Sequence, residues 1–398
     1  MNTIPLLRLL INRFDTHFGE LKSATVVLSP ASLILLGDHT HYNDGISLSV
    51  SIDKYTAIAL RKRKDNLINV LAGKQTEPIN VLSDDFYEKF GSFELRFIRK
   101  LVHTLGNSRR LNTGFDCAIM SDIPQSVGLG VYTSLLVGVL NAINVAFKLS
   151  LTTEEIIETA RRVELELIGK ISNKAHHYSI SKGKNERIFY FDVRNENYTT
   201  HSLPFNKYKL VICDTNKVIK DVEDICNERI IECEVGAKGL RLYIWGINNL
   251  RDVQEEFLEK HIQMIPKRVY HRCLYNVKER KRVENALRAF KKKDYVLFGR
   301  QMFESHTSLS EDYNLSSDEL DFLVEESKRI DGVLGSKMIS CTPKRSTINL
   351  VESGMVNNFI NSLSNIYKDR YDQELECYVL NLNEAVKHIP YKDIVLSL

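Results

Sequence analysis

The sequence predicts an α+β protein, and three observations carry the prediction. Residues 25–60 are strand-rich, reading TVVLS (25–29), LILL (33–36) and the alternating ISLSVSIDKYTAIAL (46–60). Beyond the strand start YKLVICDT at 208–215, long stretches take a helical period. The 398 residues suffice for two cores, and the polar NENYTTHS at 195–202 is a candidate boundary between units 1–198 and 199–398.

Taken in order, MNTIPLLRLLINRF reads as an amphipathic first helix: Arg8 and Asn12 interrupt its apolar residues and no small-residue cleavage site follows. Pro30 separates the strands 25–29 and 33–36. The second of these ends at Gly37 in a loop dense with hydrogen-bonding groups, Asp38, His39, Thr40, His41, Asn43 and Asp44. Two readings of that loop stand side by side: Asx turns that bond their own backbone, or a site for a polyol. Arg61–Asp65 reads as a solvated hairpin tip, Phe86–Leu105 as a helix and Gly114–Ser121 as a strand.

Asp122–Ser134 then carries Gly128 and Gly130 and runs directly into the apolar LLVGVLNAINVAF. A strand, a glycine-bearing loop and a helix N-terminus present backbone N–H groups and the positive end of the helix dipole to an anion. A plain capping turn is the commoner use of two such glycines. Thr152–Leu167 opens on a Thr-x-x-Glu capping box, IGKISNKAHHYSISKGKNER reads as a polar, basic loop, and FYFDV as a strand. Helical patterns cover Val222–Leu250, Val253–Met264 and Lys278–Phe303. Trp245, within LYIWGINNL, is expected in a helix core, and Glu304, Ser305 and His306 are expected to serve packing and capping.

Composition excludes several classes of function. A net charge of +3 and a pI near 8.3 leave no basic footprint for nucleic acid. No apolar run approaches a membrane span. The seven scattered cysteines contain no CxxC, so neither a metal site nor a disulfide framework is expected, and a reduced, cytoplasmic setting fits.

Three segments in this order resemble the galactokinase family of the GHMP small-molecule kinases, over almost the whole chain. SPASLILLGDHTHYNDG resembles the signature Pro-Gly-Arg-Val-Asn-Leu-Ile-Gly-Glu-His-Thr-Asp-Tyr-Asn, and Pro124–Ser134 aligns with the phosphate loop Pro-x-x-x-Gly-Leu-Ser-Ser-Ser-Ala-Ser. FGRQMFESHTSLSEDYNLSSDELDFLV at 298–324, followed by GVLGSKM, is the longest match. The resemblance implies a two-domain GHMP-kinase fold of mixed sheets with packed helices, its site in the interdomain cleft. It implies a sugar or related polyol held by Asp38, His39, His41 and Asn43. It implies a nucleotide at Gly128, Gly130, Thr133 and Ser134, with ATP and magnesium as cosubstrate and cofactor.

The match fails where the family's chemistry lies. The family arginine falls at Ser32, the catalytic aspartate at His176 and its neighbouring glutamine at His177. The phosphate-loop serines become Gly130, Val131 and Tyr132, and Thr-Gly-Gly-Gly-Phe-Gly-Gly becomes Ile339-Ser340-Cys341-Thr342-Pro343-Lys344-Arg345. Cys226 stands where a sugar-contacting tyrosine is expected. His39, Thr40, Tyr42 and Asn43 match, Asp38 replaces a glutamate and His41 an aspartate. The leading expectation is a galactokinase-like protein whose phosphorylation of sugar is lost or severely reduced, with nucleotide and magnesium binding weakened. Two alternatives stand: an active kinase on galactose or a related small molecule, using His176 or no side-chain base, with charge from Lys170, Lys174, Lys344 or Arg345, or a regulatory or scaffold protein that recognises a partner.

Overall fold

A computed structural model describes residues 3–82, 93–107 and 111–397. The strands are β1 Thr25–Leu36, β2 Ile46–Lys62, β3 Ile68–Ala72, β4 Ile79–Asn80, β5 Phe115–Ser121, β6 Arg187–Asp192, β7 Asn197–Ser202, β8 Tyr208–Val218, β9 Val333–Ile339, β10 Lys344–Glu352, β11 Glu376–Leu380 and β12 Lys387–Ile389. The helices are α1 Ile4–Phe18, α2 Phe93–Asn107, α3 Val131–Phe147, α4 Thr153–Ile168, α5 Lys174–Lys182, α6 Val222–Arg241, α7 Glu255–Lys260, α8 Lys267–Lys292, α9 Tyr295–Glu311, α10 Asp318–Arg329, α11 Val356–Tyr371 and α12 Tyr391–Ser397.

The first sheet runs β12-β1-β2-β5-β3-β4, with β6 on β2 and β7 on β6; among the described residues only β3 and β5 pair in parallel. The alternation of the strands decides what covers each face. Val27, Ile58 and Leu60 point to a core closed by α2, α3 and α4, whereas Val26, Leu28, Ala57 and Ala59 point to α1 through Leu10 and Phe14. The second sheet, β11-β8-β10-β9, is antiparallel throughout. A third core joins the two sheets, with Leu33 and Leu35 of β1 and Val50 of β2 meeting Leu210, Ile348, Val283 and Met302. The far ends of β1 and β2 therefore lie at the junction of the sheets, where the loop after Leu36 emerges. The mixed sheets and packed helices expected from sequence are present.

Several local expectations need correction. β1 is one continuous strand through Pro30, because the register shifts from Pro30↔Tyr55 to Ala31↔Ile52 and so leaves the missing N–H at a bulge. Arg61–Asp65 is not a hairpin tip: β5 lies between β2 and β3, and Arg63 is tied to Asp65 at 2.6 Å and to Asp116 at 2.8 Å. NENYTTHS is not a linker, since Asn197–Ser202 pairs with β6 and stays in the first sheet. The chain leaves that sheet afterwards and returns through β12 on β1 and Ile394 in the α1 core. The stretch after Ile168 is not a solvated loop. It forms α5, capped by Asn173 and burying Ala175, His177 and Ile180 completely.

Lys278–Phe303 divides into α8 and α9, because Lys293 turns left-handed and Asp294 caps the new helix by accepting from the Leu297 amide. Val222–Leu250 ends as a helix at Arg241, and Val253–Met264 is the short α7 with a single turn after it. Trp245 is accordingly outside any helix core and 99% exposed. Residues 86–92 of the helix expected at Phe86–Leu105 lie outside the described residues; the rest is α2. Glu304, Ser305 and His306 do pack and brace: Ser305 donates to Glu279 at 3.0 Å, and His306 accepts from the Met338 amide at 3.2 Å. No described helix is long and apolar enough to cross a membrane.

Candidate active site in the cleft between the sheets

The loop after β1 is fixed by its own geometry. Gly37 has φ +90, and a Cβ there would meet the Ile46 carbonyl at 2.3 Å, so only glycine fits. Its amide donates to Glu279 of α8 at 2.7 Å, while Tyr275 donates to the Asp38 carbonyl at 2.9 Å. These bonds clamp the loop to the helix that leads into the second sheet. The Asp38 carboxylate receives Lys337 Nζ at 2.5 Å and Ser340 Oγ at 3.3 Å. His39 lies between Tyr42 Oη at 3.1 Å and Ser340 Oγ at 3.0 Å. His41 Nε2 donates to the Lys170 carbonyl at 2.9 Å.

A cavity of about 260 Å³ opens here, lined from the loop by Asp38, His39 and His41, from the phosphate-loop side by Gly128, Gly130 and Thr133, and by His176. It lies just below the ~300–1,000 Å³ typical of small-molecule pockets, which suits one small polar molecule. Two of the sequence-derived site residues do not line it. Asn43 is buried against Asn276 at 3.1 Å, and Ser134 is spent on the Ser29 carbonyl at 3.0 Å and Thr56 at 3.2 Å. Thr133 reaches the cavity wall, but its hydroxyl donates to Glu164 at 3.0 Å.

Ser32 and His176, from β1 and α5, face each other with Oγ and Nδ1 3.1 Å apart. His177 points the other way, into the core, and sets Nε2 2.7 Å from Glu164. Burial holds the His176 imidazole down at about 4, only partly offset by Glu164, so the ring is neutral at pH 7. Burial likewise takes His41 to about 4 and His39 to about 3. Each of the three histidines thus has a folded pKa below the ordinary 6.5, and the unfolded chain binds the extra protons. Their contribution to stability is complete above about pH 6.5 and is lost as the pH falls through 6.5 toward 4. Melting temperature is expected to fall across that window, and less steeply in His41→Gln/His176→Gln. A double variant with a profile parallel to the parent chain would contradict this assignment.

The cations that might replace the absent arginine are already engaged. Lys170 pairs with Glu234, Lys174 with Glu158 and Glu196, Lys344 with Asp214 at 2.8 Å and Arg345 with Glu319 at 2.9 Å. Tyr132 stacks on Phe97 of α2 with ring centroids 4.6 Å apart. The turn 340–343, between β9 and β10, sits on the phosphate loop. Lys344 N donates to the Ser126 carbonyl at 3.0 Å, and a Cβ on Gly128 would meet Ile339 Cγ2 at 2.5 Å and Thr342 Cγ2 at 2.7 Å. That face of Gly128 is covered by side chains of the turn.

The site also contains groups that sequence reasoning missed. Lys337, fully buried, is the counter-ion of Asp38 from 299 positions away. Glu164 collects Thr133 and His177; burial pushes its carboxyl up, but the facing His177 and these bonds outweigh that and leave it below the usual range. Cys226 and Cys341 are joined as a disulfide with Cα atoms 6.1 Å apart, against the expectation of none. Their separation of 115 residues gives no spacing signal.

Comparison with known proteins places these features. Residues 12–62 match the galactokinase galactose-binding signature, and residues 95–178 match the GHMP kinases N-terminal domain. The galactokinase of Roseiflexus sp. is 29% identical over 377 residues, 95% of this chain and 96% of that one. The galactokinase of Staphylococcus carnosus is 28% identical over 95% of this chain and 98% of its own. Among solved structures, Lactococcus lactis galactokinase complexed with galactose superposes with a TM-score of 0.89 at 24% identity, covering 96% of this chain and all of that one. Methanococcus jannaschii mevalonate kinase superposes with 0.62 at 20% identity, over 91% and 99%.

Proposed function

Because the chain belongs to the galactokinase family of the GHMP kinases, we propose that it is a hexose-binding member whose ATP-dependent phosphorylation of sugar is lost or severely reduced. The observation that carries this reading is the Ser32–His176 pair. At the two positions where the family places a cation and a carboxylate, this chain has a neutral hydroxyl hydrogen-bonded to a neutral imidazole. Neither group balances the charge of a transferring phosphoryl group. The polyol side keeps acceptor capacity, since each Asp38 oxygen has one protein donor and a carboxylate offers about four lone-pair sites.

His176 can still position a sugar hydroxyl by a hydrogen bond, and Asp38 and His39 can fix others. The covered Gly128 and the engaged hydroxyls of Thr133 and Ser134 argue against nucleotide binding in this arrangement. A thermal-shift series with galactose, other hexoses, ATP and ADP separates the readings. A ligand at a hundredfold excess over its Kd adds about 2.7 kcal/mol of apparent stability. Galactose or a close relative is expected to raise the melting temperature, while ATP with magnesium leaves it unchanged. An equal shift with ATP points back to a working kinase, and no shift with any of them to a scaffold.

A further inference from the structure

We infer that Cys226 and Cys341 form a reversible redox latch, set by small-molecule thiols and disulfides, that pins the 340–343 turn onto the phosphate loop. The bond joins the first half of α6 to the tip of the β9–β10 hairpin. Both cysteines line the cleft, and both also line a second cavity of about 40 Å³ whose wall includes Ile219, Leu315 and Arg345. The sulfur bridge is thus part of the partition between two cavities. Cys226 is buried but Cys341 is half-exposed, so a small thiolate entering the cleft can reach the second sulfur.

The turn is held in a conformation that its sequence does not favour. Cys341 has φ +53, in the left-handed region that favours glycine. The non-covalent ties on the turn are Lys344 N to the Ser126 carbonyl, Ile219 N to the Pro343 carbonyl, Thr342 Oγ1 to the Lys344 carbonyl and, at its first residue, Ser340 Oγ to Asp38 and His39. Beyond Ser340 the covalent link over-determines the turn, and cutting it leaves the bonds of residues 342–344 and the side-chain contacts with Gly128 to hold Cys341.

The chemistry closes without any group outside the thiol class. A thiolate attacks Cys341 Sγ, the Cys226–Cys341 bond breaks, and Cys226 departs as a thiolate that takes up a proton. A second thiol attacks the mixed disulfide and frees Cys341, so the protein pair gains two electrons and two protons while two small thiols become one disulfide. A small-molecule disulfide runs the same steps in reverse.

The test uses the full chain equilibrated with oxidised glutathione or with excess dithiothreitol, and no sugar or nucleotide enters it. Hydrogen exchange is read at the amides of Lys344 and Ile219, with residues 347–352 of β10 as the internal reference. Reduction is expected to speed exchange at both amides about tenfold or more while residues 347–352 are unmoved. Cys341→Ser and Cys226→Ser are each expected to match the reduced protein in both buffers. Peptide mapping without reductant is expected to find the 226–341 link in the oxidised sample alone. The latch is overturned if no link forms under oxidation, if the link survives dithiothreitol, or if exchange differs by less than about twofold between the two states. Because the wild-type chain is compared with itself, a variant that fails to fold does not decide the outcome.

Discussion

Given galactose, ATP and magnesium, the purified protein is expected to form phosphorylated sugar at less than about one ten-thousandth of an ordinary turnover of a few per second. On the proposed reading two losses set that figure. A general base is worth about 10²–10⁴ in rate, and His176, neutral with its pKa at about 4, has a carboxylate's basicity without its negative charge, while its Nδ1 is taken up by Ser32 Oγ at 3.1 Å. A preorganised charge-stabilising donor is worth about 10²–10³, and the nearby cations Lys170, Lys174, Lys344 and Arg345 are held by carboxylates of their own. Such effects are not additive, so the expectation is set at the low end of the two combined, about 10⁴. A coupled assay that resolves about 10⁻³ turnovers per second decides the matter. Turnover near one per second that His176→Ala abolishes would install His176 as the base and overturn the reading.

How far the site can be read from sequence depends on the range over which its contacts act. The glycine-bearing loop before α3, the capping box at Thr152 and the strand at 46–60 are local, and each stands where its pattern places it. The loop after Leu36 is also local, since Gly37 is demanded by the Ile46 carbonyl. The misreadings have other causes, burial conferred by distant partners in one case and an early helix end in the other. α5 looks like a solvated loop because its polar residues are many, yet Lys174 reaches Glu158 and Glu196 and His177 lies against Glu164. Trp245 looks like core because its neighbours are apolar, yet the helix ends at Arg241 and the ring is 99% exposed. The chemical meaning of Ser32 needed the same long-range information, since its partner His176 is 144 positions away.

Lys337→Met is expected to destabilise the protein by about 3–5 kcal/mol, the largest single loss of stability foreseen here. Lys337 is fully buried in β9, and its ammonium rests 2.5 Å from the Asp38 carboxylate, itself only 9% exposed. Removing the ammonium leaves a buried negative charge with Ser340 Oγ, at 3.3 Å, as its other side-chain donor. The penalty is that of an unpaired charge, so it differs in kind from the value of the pair. Asp38→Asn/Lys337→Met removes both charges and is expected to recover most of the loss, giving a coupling energy above about 2 kcal/mol in the double-mutant cycle. Denaturant midpoints for the four proteins measure it, and additive single effects would show that water, not Lys337, neutralises Asp38. The same cycle bears on sugar binding. In the folded protein Lys337 holds one carboxylate oxygen and Ser340 reaches the other and His39, so the β9–β10 hairpin positions the groups that meet a polyol. If that positioning matters, Asp38→Asn/Lys337→Met will regain stability without regaining the shift produced by galactose.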